Sequence, residues 1–185
     1  NEWHIAEIRG QFDLARTTGD LTLTGPGDGR ISKEIPGSGD VVKTGTGTWT
    51  LTARNPYSGD TTVNQGTLAL GAPNAGASTI GTGTLVINSG GTVDSGVNGF
   101  GWTFQNPVEI YGGTLNQLSA DSHMNTITME AGTLGGAGEF RLHRDVTVLP
   151  SATASTVSTA NLGIWEDMTF DVADGAPAVD LDLSS

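Results

Sequence analysis

One short motif returns along this chain at intervals that few folds can use. Gly-Thr-Leu or a near variant occurs as GTWTL at Gly47, GTLAL at Gly66, GTLVI at Gly83, GGTVD at Gly90, GGTLN at Gly112 and GTLGG at Gly132, with successive glycines 19, 17, 7, 22 and 20 residues apart. Four of the five gaps lie near 20. That is shorter than the roughly 33–47 residues of helical repeats and suits one coil of strands and bends. The single short gap suggests a second strand within the same turn of chain.

Local patterning agrees with coils of strand. DLTLT from Asp20, TWTLT from Thr48, TLVIN from Thr84, NTITME from Asn125 and MTFDV from Met168 alternate apolar with polar residues, the period of a half-buried strand. Between them lie Gly, Asn, Asp and Pro, which supply turns. The best helix candidate, SADSHMNTITME, turns β-branched in its second half, which argues against a helix. An isolated hairpin cannot bury its apolar face and is only marginally stable. Stacked coils solve this by setting each inward Leu or Val over its neighbours. The expected fold is all-β, a parallel β-helix solenoid of roughly seven to nine short coils.

Composition narrows the function classes. The 185 residues include 28 glycines, only 15% charged residues and no cysteine, with a formal net charge of −12. Eight basic residues do not offset the repulsion from a duplex or an anionic membrane surface, so nucleic acid and direct membrane insertion are not expected. Without cysteine there is neither a disulfide framework nor thiolate chemistry. No run of 18 apolar residues is present, as a spanning helix needs. The chain opens on Asn1-Glu2-Trp3, stops at Ser185, and echoes FDLARTTGDLTLTG from Phe12 in FDVADGAPAVDLDLSS from Phe170. Residues 1–185 therefore read as a single β-helix segment cut from a longer repeat-containing protein.

The stretch KTGTGTWTLTARNPYSGDTTVNQGTLAL, Lys43 to Leu70, resembles the autotransporter-associated β-strand repeat, also called the passenger-associated transport repeat. Its Lys-Thr-Gly-x-Gly-Thr-Leu start is met by Lys43 to Gly47. The N-x-Y-x-G-x-T turn matches Asn55, Tyr57, Gly59 and Thr61, and the T-V-x-x-G-T-L finish matches Thr62, Val63 and Gly66 to Leu68. Trp49 stands where the family usually has Leu, and Asp60 where it usually has Gly. Weaker likeness runs through NPVEIYGGTLN and MTFDVADG. The resemblance implies a right-handed parallel β-helix in a large exported bacterial protein, extracellular or at the cell surface. In that family the repeats are thought to aid export and to hold binding or enzymatic parts away from the cell, and the repeat brings no catalytic residues.

Enzyme signatures fail one by one. GPGDGR, GTGTWT, GTGTLV and GFGWTF begin G-x-G but none completes G-x-G-x-x-G before a helix. HRD at His143–Asp145 has the letters of a kinase catalytic loop but no asparagine five residues on. His4, His123 and His143 lie far apart without ligand-spaced partners, so each is expected to be exposed or locally hydrogen-bonded rather than a zinc ligand. Asp180 and Asp182 alternate in DLDL, with Asp171 and Asp174 nearby. They are expected to point outward from one strand, as a calcium pair or an acid–base pair, or simply as a solvated face. No cofactor beyond calcium is implied.

Aromatic side chains are the stronger lead, because sugar rings pack flat C–H faces on them. Alternation sends Trp49, Trp102 and Phe104 inward. It leaves Tyr111 outside beside Glu109, and Trp165 outside beside Glu166 and Asp167, with a bulge or bend expected at Glu166–Asp167. Trp3 has no assigned side and Tyr57 sits in the motif's turn. Were Tyr111 and Trp165 on one stacked sheet, they would form part of an aromatic strip. The favoured expectation is a non-catalytic scaffold, stalk or adhesive segment whose partners include neighbouring repeats or domains of the same chain. The alternative is a carbohydrate-binding module of a secreted polysaccharide-degrading protein, meeting a polysaccharide or cell-surface glycan through Tyr111, Trp165, Glu109 and Asp167.

Overall fold

The computed structural model describes residues 6–8, 19–71, 80–96, 102–104, 106–118 and 121–184. Trp3, His4 and the start of the Phe12 echo (12–18) lie outside them, as do the side chains of Trp102 and Phe104. The described chain is strands and bends without a helix, stacked as a β-solenoid of about seven turns.

Each turn contributes to two parallel sheets. The first contains β1 (Ala6–Ile8), β3 (Gly29–Ile31), β5 (Thr48–Leu51), β7 (Gly66–Leu70), β9 (Gly91–Ser95), β12 (Thr114–Gln117), β15 (Thr133–Leu142), β17 (Ser155–Ile164) and β19 (Leu181–Leu183), with β10 (Trp102–Phe104) and β13 (Asp121–Met124) extending it to one side. The second runs through β2 (Leu21–Leu23), β4 (Val41–Lys43), β6 (Thr61–Val63), β8 (Leu85–Asn88), β11 (Val108–Tyr111), β14 (Ile127–Glu130), β16 (Val146–Val148) and β18 (Phe170–Val172). The short spacing between Gly83 and Gly90 is the passage from β8 to β9, two strands of one turn lying in different sheets.

Registers explain why Gly-Thr-Leu recurs. In the first sheet Thr48, Thr67, Thr92, Thr114, Thr133 and Thr156 stack in line. The next residues, Trp49, Leu68, Val93, Leu115, Leu134 and Val157, form the column beside them. The threonines are half-exposed, and the aliphatic members of the second column are buried. Trp49 is partly buried against the core, over Gly29, where an added Cβ would come 2.7 Å from the indole. The second sheet holds the column Leu21, Val41, Thr61, Leu85, Val108, Ile127, Val146 and Phe170. Fully burying one such aliphatic side chain stabilises by about 1.5–3 kcal/mol.

Between the ladders, side chains fix one coil to the next. Asp20 Oδ1 accepts the Asp40 amide at 3.0 Å, Asp40 Oδ1 the Asp60 amide at 2.8 Å, and Asp60 Oδ1 the Thr84 amide at 2.7 Å. Asp60, a departure from the family pattern, is thus one link of a vertical chain of bonds.

The last coils broaden. β15 pairs β12 from Thr114–Thr133 to Asn116–Gly135 and pairs β13 from Glu139 onward, and its register against β17 shifts between Gly136 and Glu139. Gly136 has φ +109, and a side chain there would collide with the Gln117 backbone, so only glycine makes this corner. The result is a wing of β10, β13 and the ends of β15 and β17. Ser122, Met124, Phe140 and Leu142 are buried beneath it.

Candidate functional site

The outer face of this wing gathers imidazole, indole, guanidinium and carboxylate side chains. In register His123 faces Arg141, Arg141 faces Gly163, and Leu142 faces Ile164, so His143 and Trp165 follow at matching heights. His123 Nδ1 and His143 Nε2 are 2.7 Å apart. The ring centroids are 4.9 Å apart with planes 18° from parallel. Trp165, 57% exposed, lies 6.1 and 6.2 Å from the two imidazoles, and Arg141 sits 5.0 Å over its ring. Gly163 makes room: a Cβ would come 2.9 Å from Glu139 Oε1 and 3.1 Å from Trp165 Nε1.

Carboxylates frame the cluster. Arg141 reaches Asp121 Oδ2 at 2.5 Å and grips Glu139 with Nε and Nη2, each at 3.2 Å. The bond to Glu139, with Asp121 and Glu139 charges beside it, holds the guanidinium above its usual range, against a smaller effect of desolvation. Asp121 Oδ2 is 3.4 Å from His123 Nε2, and Glu166 Oε1 is 3.5 Å from His143 Nδ1. Arg144 Nη1 reaches the other oxygen of Glu166 at 3.5 Å. Such a surface offers a flat aromatic face edged by planar donors, suited to a flat polar ligand.

A second set of polar side chains points the other way. Lys43 is fully buried in the column between Leu23 and Val63. Its ammonium donates to Gly45 O and to Gln65 O, the latter at 2.9 Å. Burial pulls its pKa below the usual lysine value, partly offset by the Asp28 charge. Tyr57, also fully buried, shares a 2.6 Å hydrogen bond with Thr61 Oγ1. That bond explains a threonine in the aliphatic column. Burial pushes the phenol up, more than its bonds to Thr61 and Gly81 lower it. Asn55 Oδ1 accepts the Ile35 amide at 2.9 Å, one coil back, while its Nδ2 donates to Ala53 O at 3.2 Å. Asn106 also reaches one coil back but as a donor, its Nδ2 giving hydrogen bonds to Gly81 O at 2.8 Å and to Gly83 O.

Lys43, Asn55, Tyr57 and Thr61 are four polar letters of one sequence pattern, and all four are buried, whereas its Thr44, Thr48, Thr62 and Thr67 are half-exposed. Residues 41–70 match the family model of the passenger-associated-transport-repeat. Nothing among curated proteins or solved structures matches the chain. The passenger-associated-transport-repeat and the solenoid together fit a repeat segment of an autotransporter passenger. Within residues 41–70 the four buried polar residues of the motif hold corners and turns rather than meeting solvent.

The other expected site residues are spread over the molecule. Tyr111 and Glu109 both face outward on β11, where the Tyr111 hydroxyl donates to Glu109 Oε2 at 3.1 Å. Burial and then this bond raise the Tyr111 pKa. β11 belongs to the second sheet and Trp165 follows β17 of the first, so the structure does not bring Tyr111 and Trp165 together. The chain bends at Glu166, and Asp167 is exposed beyond it. Asp182 is exposed on β19 opposite Thr156. Asp180, just before β19, is half-buried and its Oδ1 accepts the Gly175 amide at 3.0 Å. Among the described residues no three His, Cys, Asp or Glu side chains converge as a metal site, and no helix is long and apolar enough to cross a membrane.

Sequence reasoning missed the meeting of His123 with His143. The signal was present: His123, His143 and Trp165 stand 20 and 22 residues apart, one coil each in a chain whose motif repeats near 20.

Proposed function

We propose that this chain is a non-catalytic scaffold segment of an exported bacterial passenger protein, a stiff stalk that holds other parts of its protein away from the cell. The observation that carries this reading is the pair of in-register parallel ladders running through the stacked coils over a core filled by side chains. Such a rod bears load along its axis through ladder hydrogen bonds, and outer faces and turns are left to vary. The test sets this chain between an outer-membrane anchor and an epitope on a bacterial surface. A stalk predicts efficient antibody labelling, lost when a Gly/Ser linker of equal residue count replaces the chain. Equal labelling with the linker would contradict the stalk.

The outer cluster favours a second role, adhesion to a glycan through Trp165. Its exposed indole and the adjacent Arg141 supply a flat apolar face with donors beside it. Affinity electrophoresis through soluble polysaccharides, with cellulose, chitin and xylan pull-downs, tests it. Because Tyr111 lies on the other sheet, retardation is expected to be lost in Trp165→Ala and retained in Tyr111→Ala. Retardation that survives Trp165→Ala, or none with any glycan, would remove this role.

A further inference from the structure

We propose that His123 and His143 form a binding site for a divalent transition metal, on the outer face of the wing and bridging two consecutive coils. The 4.9 Å centroid separation is close to the 2.7 Å N···N distance plus one ring radius at each end, and the planes are within 18° of parallel. The rings therefore meet edge to edge, with Nδ1 of His123 and Nε2 of His143 aimed at each other.

Their far nitrogens decide what those facing atoms carry. Asp121 stands 3.4 Å from His123 Nε2 and Glu166 stands 3.5 Å from His143 Nδ1. A carboxylate beside an imidazole nitrogen favours the N–H there, and so leaves the lone pair on the other nitrogen. Two lone pairs converging at 2.7 Å repel unless they share a cation, either a proton or a metal. A carboxylate behind each imidazole is also the outer shell that orients metal-binding histidines.

Donor type and geometry select the metal class. Neutral imidazole suits Cu, Ni and Zn, whereas calcium takes oxygen ligands. With metal–nitrogen bonds of about 2.0–2.1 Å, two nitrogens at a right angle lie about 2.9 Å apart. The square-planar or tetragonal geometry of Cu(II) and Ni(II) therefore needs less opening from 2.7 Å than a tetrahedral one. Both rings turn to meet the ion, which side-chain exposures of 35% and 27% allow. Arg141 does not act as a free opposing charge, being held between Asp121 and Glu139. With no third protein ligand converging among the described residues, water completes the shell and the metal stays exchangeable.

The test titrates the intact chain with Cu(II), Ni(II), Zn(II) and Ca(II), following indole fluorescence, and counts imidazole nitrogens on Cu(II) by pulsed electron paramagnetic resonance. The expected result is one Cu(II) held by two imidazoles, Cu(II) bound tighter than Ni(II) or Zn(II), and no effect of Ca(II). His123→Ala and His143→Ala should each weaken Cu(II) binding at least about 100-fold, and Glu166→Gln about 10- to 100-fold. His4→Ala should leave it unchanged. The nitrogen count on the unaltered chain stands even if a variant misfolds. No Cu(II) binding, a single coordinated imidazole, or binding that is lost in His4→Ala or survives His123→Ala would overturn the site.

Discussion

The coil at 41–70 and the coils from Asp121 to Glu166 use polar residues in opposite directions. The first turns Lys43, Asn55, Tyr57 and Thr61 into the core and satisfies each with a carbonyl, an amide or a hydroxyl. The second turns Asp121, His123, Arg141, His143 and Trp165 outward, where they bond mostly to one another. Buried polar groups are costly unless paired, so the first set specifies one arrangement of chain. The outer set contributes little to stability and is free to serve a partner. The buried polar letters of the repeat are thus architectural, and the outer cluster lies outside the matched stretch.

This contrast can be broken by substitution. The largest effect is expected for Tyr57→Ala, which empties a fully buried ring site and should lower the free energy of unfolding by about 3–5 kcal/mol in urea titration. A loss under about 1 kcal/mol would mean that the corner collapses without harm. Asn55→Ala strands the Ile35 amide and should cost about 1–3 kcal/mol, with faster hydrogen exchange at Ile35 itself.

Lys43→Met should cost about 1–2 kcal/mol at neutral pH, because the Gln65 and Gly45 carbonyls lose their donor. Its pH dependence is the sharper readout. The folded chain binds the Lys43 proton less tightly than the unfolded chain, whose lysine titrates near 10.5. The wild-type protein therefore gains stability relative to Lys43→Met as pH rises from the lowered value toward 10.5. Paired urea titrations from pH 7 to 10.5 should show the gap widening, and a constant gap would contradict the burial argument. The smallest effect is a gain. Ala131 alone among described non-glycine residues has positive φ, +51, at a turn where the preceding coils place Gly90 and Gly112 with φ of +90 and +73. Ala131→Gly should raise the unfolding free energy by about 0.5–1 kcal/mol, read as a higher midpoint.

Legibility in the sequence follows the same divide. Strand alternation and the spacing of Gly-Thr-Leu are properties of single coils, so the solenoid, the inward Trp49, the outward Tyr111 and Trp165 and the bend at Glu166 could be read from neighbouring residues. Whether two outward residues meet depends on which strands stack and in what register. Tyr111 and Trp165 look alike along the chain yet belong to different sheets. His123 and His143 look remote yet touch, because the register shift between Gly136 and Glu139 adds a wing that alternation alone does not announce. Buried Lys43 was equally hidden, since its pairing to Gly45 and Gln65 depends on a turn closing over it.

The repeat's buried polar residues hold the rod together, and the wing's outer polar residues do not. The most direct measurement compares urea midpoints and unfolding free energies of two triple variants, Lys43→Met/Asn55→Ala/Tyr57→Phe and His123→Ala/His143→Ala/Trp165→Ala, followed by circular dichroism. The first variant should lose several kcal/mol, about 3–6 from the summed unpaired groups, and the second should change by no more than about 1 kcal/mol. Equal losses, or a larger loss in the second, would contradict this division of roles.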